Sequence, residues 1–218
     1  MNVNQWSLVR TVPPTSEPVS VADMKQHSRI YISDDDGIVL AYISAARAFA
    51  EVYQNKQLLP ATYRLKFDWF PSWTIKIPFP PLASVTAIKY LDTGGNLQTL
   101  ATTEYLVDAD SVPGRITPAY AKIWPVSRIQ ISAVEVDFVA GYPDAGSIPQ
   151  TTVQAIKMLA AHWYEQREET AERRMASIPY GVADLLAVDR VLDFSGVLGS
   201  SNNMPGAVTA WGGVGWIQ

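Results

Sequence analysis

A histidine beside a carboxylate is the side-chain pair best suited to moving protons near neutral pH. The stretch "IKMLAAHWYEQREE" places His162 next to Trp163 and Tyr164 and three residues before Glu165. On a helix, Glu165 and Gln166 both lie within reach of a local hydrogen bond to that imidazole. Nothing else completes a catalytic set. There is no G-x-S-x-G and no H-E-x-x-H, and the other histidine, His27, is too distant in sequence to be paired by spacing. Packing at the edge of a helical core is therefore the favoured reading of His162. Residues Asp34, Asp35 and Asp36 in "DDDG" invite a calcium-loop reading, but the alternating ligands and the closing glutamate of such a loop are missing. "DTGGN" has the glycines of a phosphate cradle without the following helix and lysine, and a hairpin turn accounts for it. The carboxylates are scattered, and no glycosidase-like pair stands out. Trp69, Trp73 and Trp124 form either a ligand-stacking platform or ordinary sheet core.

The chain of 218 residues carries no cysteine, which excludes disulfides, zinc-thiolate centres, iron–sulfur clusters and a thiol nucleophile. No catalytic, cofactor-binding or metal-ligating residue is assigned. The formal net charge of −4 argues against wholesale phosphate binding, which is built on Lys and Arg. The first residues lack the basic start and apolar run of a signal peptide, and no stretch has the length or apolarity to span a bilayer. A soluble protein without a membrane partner is expected.

The elements that would position these residues follow from periodicity. Residues 1–16 read as an N-terminal extension. Within residues 17–60, Ser20 and Asp23 make an approximate capping box for a short helix. Ser33 with the three aspartates opens a longer helix, whose expected buried stripe is Ile38, Tyr42, Ala45, Phe49 and Val52. Residues 61–142 change to period two in "TYRLKFDWF", "WTIKIPF", "SVTAIKYLD", "EYLVDAD" and "AVEVDFVAGY", an antiparallel β unit in which "PFPPL" marks an edge or a crossing. Residues 143–193 return to helix. Ser147 or Thr151 is the expected cap, Pro149 fits the first turn, and Val153, Ile156, Leu159, Trp163 and Tyr164 form the expected stripe. The simplest packing is an α+β fold: one small helical bundle built from the N- and C-terminal helices, with the β unit inserted between them.

Residues 194–218 contain no charged residue and are rich in glycine, which reads as an extended C-terminal arm. Val208, Trp211, Val214, Trp216 and Ile217 are its candidate partner-binding anchors.

The order of segments resembles a known family. "EPVSVADMKQHSRI" with "DDDGIVLAYISAARAFAEVY" is followed by "PPLASV" before the Gly hairpin, then "VEVDFVAGY" leading into "IPQ", "HWYEQRE" and "IPYGVADLL". This conjunction is similar to the head–tail connector (adaptor, head-completion) proteins of long-tailed phages and gene-transfer agents, over residues 17–191. The resemblance implies a structural, non-enzymatic protein of the virion neck, present in the host cytoplasm during assembly. It implies a ring of about twelve copies on the portal protein, a docking platform for a tail-side stopper or tail-completion protein, and DNA at most passing through the lumen. The tail after Asp193 is longer and more apolar than the family pattern. A competing reading is a phage accessory module whose aromatic-rich β unit binds carbohydrate or a receptor. A third is an enzyme with an unrecognised carboxylate site.

Overall fold

A computed structural model describes residues 5–166 and 180–191. Strand β1 (Trp6–Val12) precedes helices α1 (Val21–Ser28) and α2 (Asp36–Gln54). Strands β2 (Ala61–Phe67), β3 (Ile75–Lys76), β4 (Leu82–Leu91), β5 (Leu97–Thr99), β6 (Tyr105–Asp108), β7 (Arg115–Pro118) and β8 (Val134–Ala140) follow, and helices α3 (Gln150–Glu165) and α4 (Tyr180–Ala187) complete the described chain. The fold is α+β, and the helices before and after the strands share one core. Met24 of α1, Val39, Ile43 and Ala50 of α2, Ile156 and Leu159 of α3, and Val182 and Leu186 of α4 are buried together.

The strands form two antiparallel sheets, of five strands in the order β1-β2-β8-β4-β5 and of three in the order β3-β7-β6. Trp6–Val12, which the sequence reading left in an extension, supplies the edge strand of the larger sheet. Strict alternation on β2 turns Tyr63, Leu65 and Phe67 into the sheet core, where they meet Val134, Val136 and Phe138 of β8. The opposite face carries a charge ladder. Register pairs Arg64 with Asp137, and Glu135 with both Lys66 and Lys89. Arg64 Nε donates to Asp137 Oδ1 at 2.6 Å, and Lys89 Nζ to Asp137 Oδ2 at 3.3 Å. The "DTGGN" turn joins β4 to β5 as a hairpin, closed by Asp92 Oδ1 accepting from the Asn96 amide. "PFPPL" lies where the chain crosses from the small sheet into β4.

A polar cluster joins bundle and sheet. Arg47 of α2 holds Glu17 through two nitrogens, at 2.7 and 3.3 Å, and donates to Glu51 at 3.0 Å. Glu51 also accepts from Gln57 Nε2 at 2.7 Å, and Gln57 accepts from the Tyr63 hydroxyl on β2. Burial pushes the Glu51 carboxyl above the usual carboxylate range, against the pull of Arg47.

Several local expectations change. Ser20 caps α1 as expected, accepting from the Asp23 amide at 3.0 Å. At the start of α2 no side chain caps the helix. Asp35 instead accepts from the Tyr164 hydroxyl at 2.6 Å, and Asp36 from Lys25 at 2.7 Å, so the aspartates tie α2 to α3 and α1. The buried stripe of α2 is Val39, Ile43, Ala46, Arg47, Ala50, Glu51 and Gln54, rotated from the expected one; Ile38, Ala45 and Val52 are exposed. The network around Arg47 and Glu51 makes polar residues inner ones. Helix α3 is capped by neither Ser147 nor Thr151: the Pro149 carbonyl accepts from the Thr152 and Val153 amides. Its buried side is Thr152, Ala155, Ile156, Leu159 and Ala160, with Val153, Trp163 and Tyr164 partly buried against the same core.

Candidate assembly surface

His162 lies partly exposed near the end of α3, on the rim of the helical core. Among the described residues no group of three or more His, Asp or Glu could hold a metal ion. Among them, too, no helix is long and apolar enough to cross a membrane. The anchors Val208, Trp211, Val214, Trp216 and Ile217 lie outside the described residues.

The three tryptophans of the β unit, far apart in sequence, come together. Trp69, Trp73 and Trp124 line one open cleft of about 440 Å³ with Phe70, Ile123 and Val126. Phe70 stacks on Trp124 with ring centroids 5.1 Å apart and planes 7° from parallel. The Trp124 indole N–H donates to the Trp73 carbonyl at 2.8 Å, pinning residues 119–132 against the turn after β2. The cleft thus has a rigid aromatic floor with few polar groups converging on it, and Trp73 stands 55% exposed at its mouth. The segment from 119 to 132 extends the same apolar surface. Tyr120 is 96% exposed, Ile123 81% and Ile131 84%, with Val126 and Ile129 alongside. Its charged residues are Lys122 and Arg128, and it holds no acid. So many large apolar side chains in water on one loop mark a surface that a partner covers. The sequence reading passed over this loop, although its signal was present: four β-branched residues between Ala121 and Ser132 with no alternation to place them on a strand.

The residues after α4 are tied back to the end of α2. The Val191 amide donates to the Gln54 carbonyl at 2.9 Å, and Asn55 Nδ2 to the Val191 carbonyl at 3.0 Å. Lys56 pairs with Asp189, and the Arg190 guanidinium lies 5.1 Å over the Tyr53 ring. Gln54, itself buried, donates to Thr152 and to the Leu186 carbonyl. The chain therefore leaves α4 from a fixed point at the C-terminal end of α2.

The sequence profile of phage gp6-like head-tail connector proteins matches residues 18–89 and 116–190, covering both the bundle and the larger part of the sheets. The chain belongs to this connector family. Solved structures agree. The chain is similar to one from the virion of a native gene transfer agent particle, with a TM-score of 0.68 and 26% identity over 85% of this chain and 96% of that one. It is similar to a chain from the neck of an empty gene transfer agent particle, computed with C6 symmetry, at 0.68 and 28% over 87% and 96%. It is likewise similar to one from the neck of the native particle, computed with C12 symmetry, at 0.65 and 29% over 87% and 96%. No curated protein sequence matches the connector chain.

Proposed function

We propose that this connector is a structural subunit of the virion neck, assembling as a ring of about twelve copies on the portal after DNA packaging and presenting a platform for the tail or a stopper. The observation that carries the reading is the match to neck chains along nearly their whole length, bundle and sheets together. DNA at most passes through the lumen, in keeping with the net charge of −4. The work of such a subunit is geometric, and no catalytic step is assigned to it. The exposed apolar loop and the fixed root of the arm fit a part designed to be covered by neighbours. From that root, residues 194–218 reach a partner, with Val208, Trp211, Val214, Trp216 and Ile217 as anchors on the portal or on an adjacent subunit.

One observation favours carbohydrate or receptor binding by the β unit: Trp69, Trp73 and Trp124 share a cleft. Sugar sites pair such rings with several converging polar groups, whereas here the Trp124 N–H is already satisfied within the fold. The cleft suits an apolar protein partner better.

Particles produced without this chain test the reading. DNA-filled heads should accumulate with no tails attached, and adding the purified chain should restore joining. Normal tailed particles in its absence would refute the connector role.

A further inference from the structure

The helical bundle meets the edge of the larger sheet at a cleft of about 330 Å³. Its apolar walls are Trp6 and Leu8 of β1, Val52 of α2, and Pro78 and Phe79 of the crossing into β4. Val52, in the last turn of α2, is 52% exposed. Glu51 also lines the cleft, buried and held by Arg47, Gln57 and the Leu58 amide. Two bases complete the lining. Lys56 pairs with Asp189 at 3.5 Å, whereas Arg10 is exposed, with the Tyr63 hydroxyl and Glu51 as its neighbours. Apolar surface gathered into one hollow marks a place that another group covers. The start of the arm is at hand. Lys56 follows Asn55, whose Nδ2 donates to the Val191 carbonyl, so the chain arrives beside this cleft at Val191. The next residues are Leu192, Asp193 and Phe194, and three residues span about 10 Å.

We propose that Phe194 fills the cleft of its own chain, against Leu8 and Val52, and that Asp193 comes to lie beside Arg10. The nearest large apolar residues close the shortest loop. Trp211 or Trp216 would have to close one of about twenty residues or more, at a greater cost in entropy. A cleft at the small end of ligand-sized pockets also takes one or two side chains and not a whole arm. Asp193 is the last charged residue of the chain, and it follows Val191 by two residues, on the side where Lys56 already has its acid and Arg10 has none paired to it alone. The contact straps the C-terminal segment over the end of α2 onto β1, and it leaves the residues beyond Ser195 to reach a partner. It lies within one chain and stands or falls independently of the connector reading.

Melting of the full-length chain tests the contact. Phe194→Ala should lower the melting temperature by about 4 °C. Val52→Ser should do the same, although the two residue types have similar helix propensity and a half-exposed valine that touched nothing would tolerate the change. Combined, the two substitutions should cost little more than either alone. No effect of Phe194→Ala, or strictly additive effects, would overturn the proposal. Arg10→Gln and Asp193→Asn should be coupled in the same sense, and additivity there would refute the charge contact. The shifts should be equal at about 1 and about 100 µM protein. Shifts that grow with concentration would put the arm of a second copy in the cleft, against the proposal. Should the variants melt without cooperativity, a disulfide decides, since the chain has no cysteine of its own. Val52→Cys with Phe194→Cys should close within one chain on mild oxidation, because the bond needs Cα atoms about 4.4–6.8 Å apart. Linked dimers, or thiols that stay free, would refute the strap.

Discussion

At the scale of residues, the side chains that first suggested chemistry are expected to serve the scaffold. His162→Ala should change stability by less than about 1 kcal/mol and leave particle assembly unchanged. Trp163→Ala should cost about 2 kcal/mol, part of the value for a fully buried ring, because the indole is only partly buried against the helical core. Thermal melting of the two variants side by side checks both; equal melting temperatures would remove Trp163 from the core. A second prediction concerns Asp137. Burial alone would raise its pKa, but the hydrogen bonds and charges of Arg64 and Lys89 outweigh it and hold the carboxyl below the usual range. A depressed carboxyl stabilises the fold above its unfolded pKa, and that contribution is lost as pH falls through the folded value. Asp137→Asn should thus cost about 1–3 kcal/mol at neutral pH, with the deficit shrinking in acid below about pH 4; denaturant titrations at several pH values read it. An unchanged deficit at low pH would contradict the ladder. Neither this ladder nor the Glu17–Arg47–Glu51 cluster was legible in the sequence, since each joins residues remote along the chain.

At the scale of elements, alternation and capping were good guides where one face of an element meets water. Strand β2 alternates without a fault, and Ser20 caps α1. Helix α2 misled because it is apolar on nearly every side, so periodicity alone could not say that Arg47, Glu51 and Gln54 face inward. Strand β1 was missed because Arg10 breaks the apolar alternation begun by Trp6 and Leu8. The turn after β8 yields a sharp prediction. Gly141 has φ +121°, and a Cβ there would lie 2.4 Å from the Leu59 carbonyl carbon and oxygen, backbone atoms that cannot swing aside. Its amide donates to the Pro81 carbonyl at 2.9 Å, so the chain cannot easily retreat. Gly141→Ala should cost at least about 2 kcal/mol through strain and overlap, as a lowered melting temperature without loss of secondary structure at low temperature. A variant as stable as the parent would show that the turn relaxes freely.

At the scale of the whole molecule, helices from the two ends of the sequence share one core and the sheets have their own, and the α+β order was readable because the period changes sharply near residue 61 and back after residue 142. The cleft of Trp69, Trp73 and Trp124 was not readable as one site, since it forms only when the loop after β7 folds onto the turn after β2. Removing residues 195–218 should leave the melting temperature of the isolated chain nearly unchanged, because α4 already packs in the helical core and Val191 is tied to α2. The same truncation should abolish attachment to portal-bearing heads. Truncated protein that still decorates those heads would show that the arm is not the lock. The central claim is that this connector is a ring subunit of the neck, and electron cryomicroscopy of the neck in particles containing it is the most direct test. The account predicts a ring at the head–tail junction whose repeating density accepts the bundle and both sheets, once per copy. A neck map of intact, tailed particles in which this fold fits nowhere would contradict it.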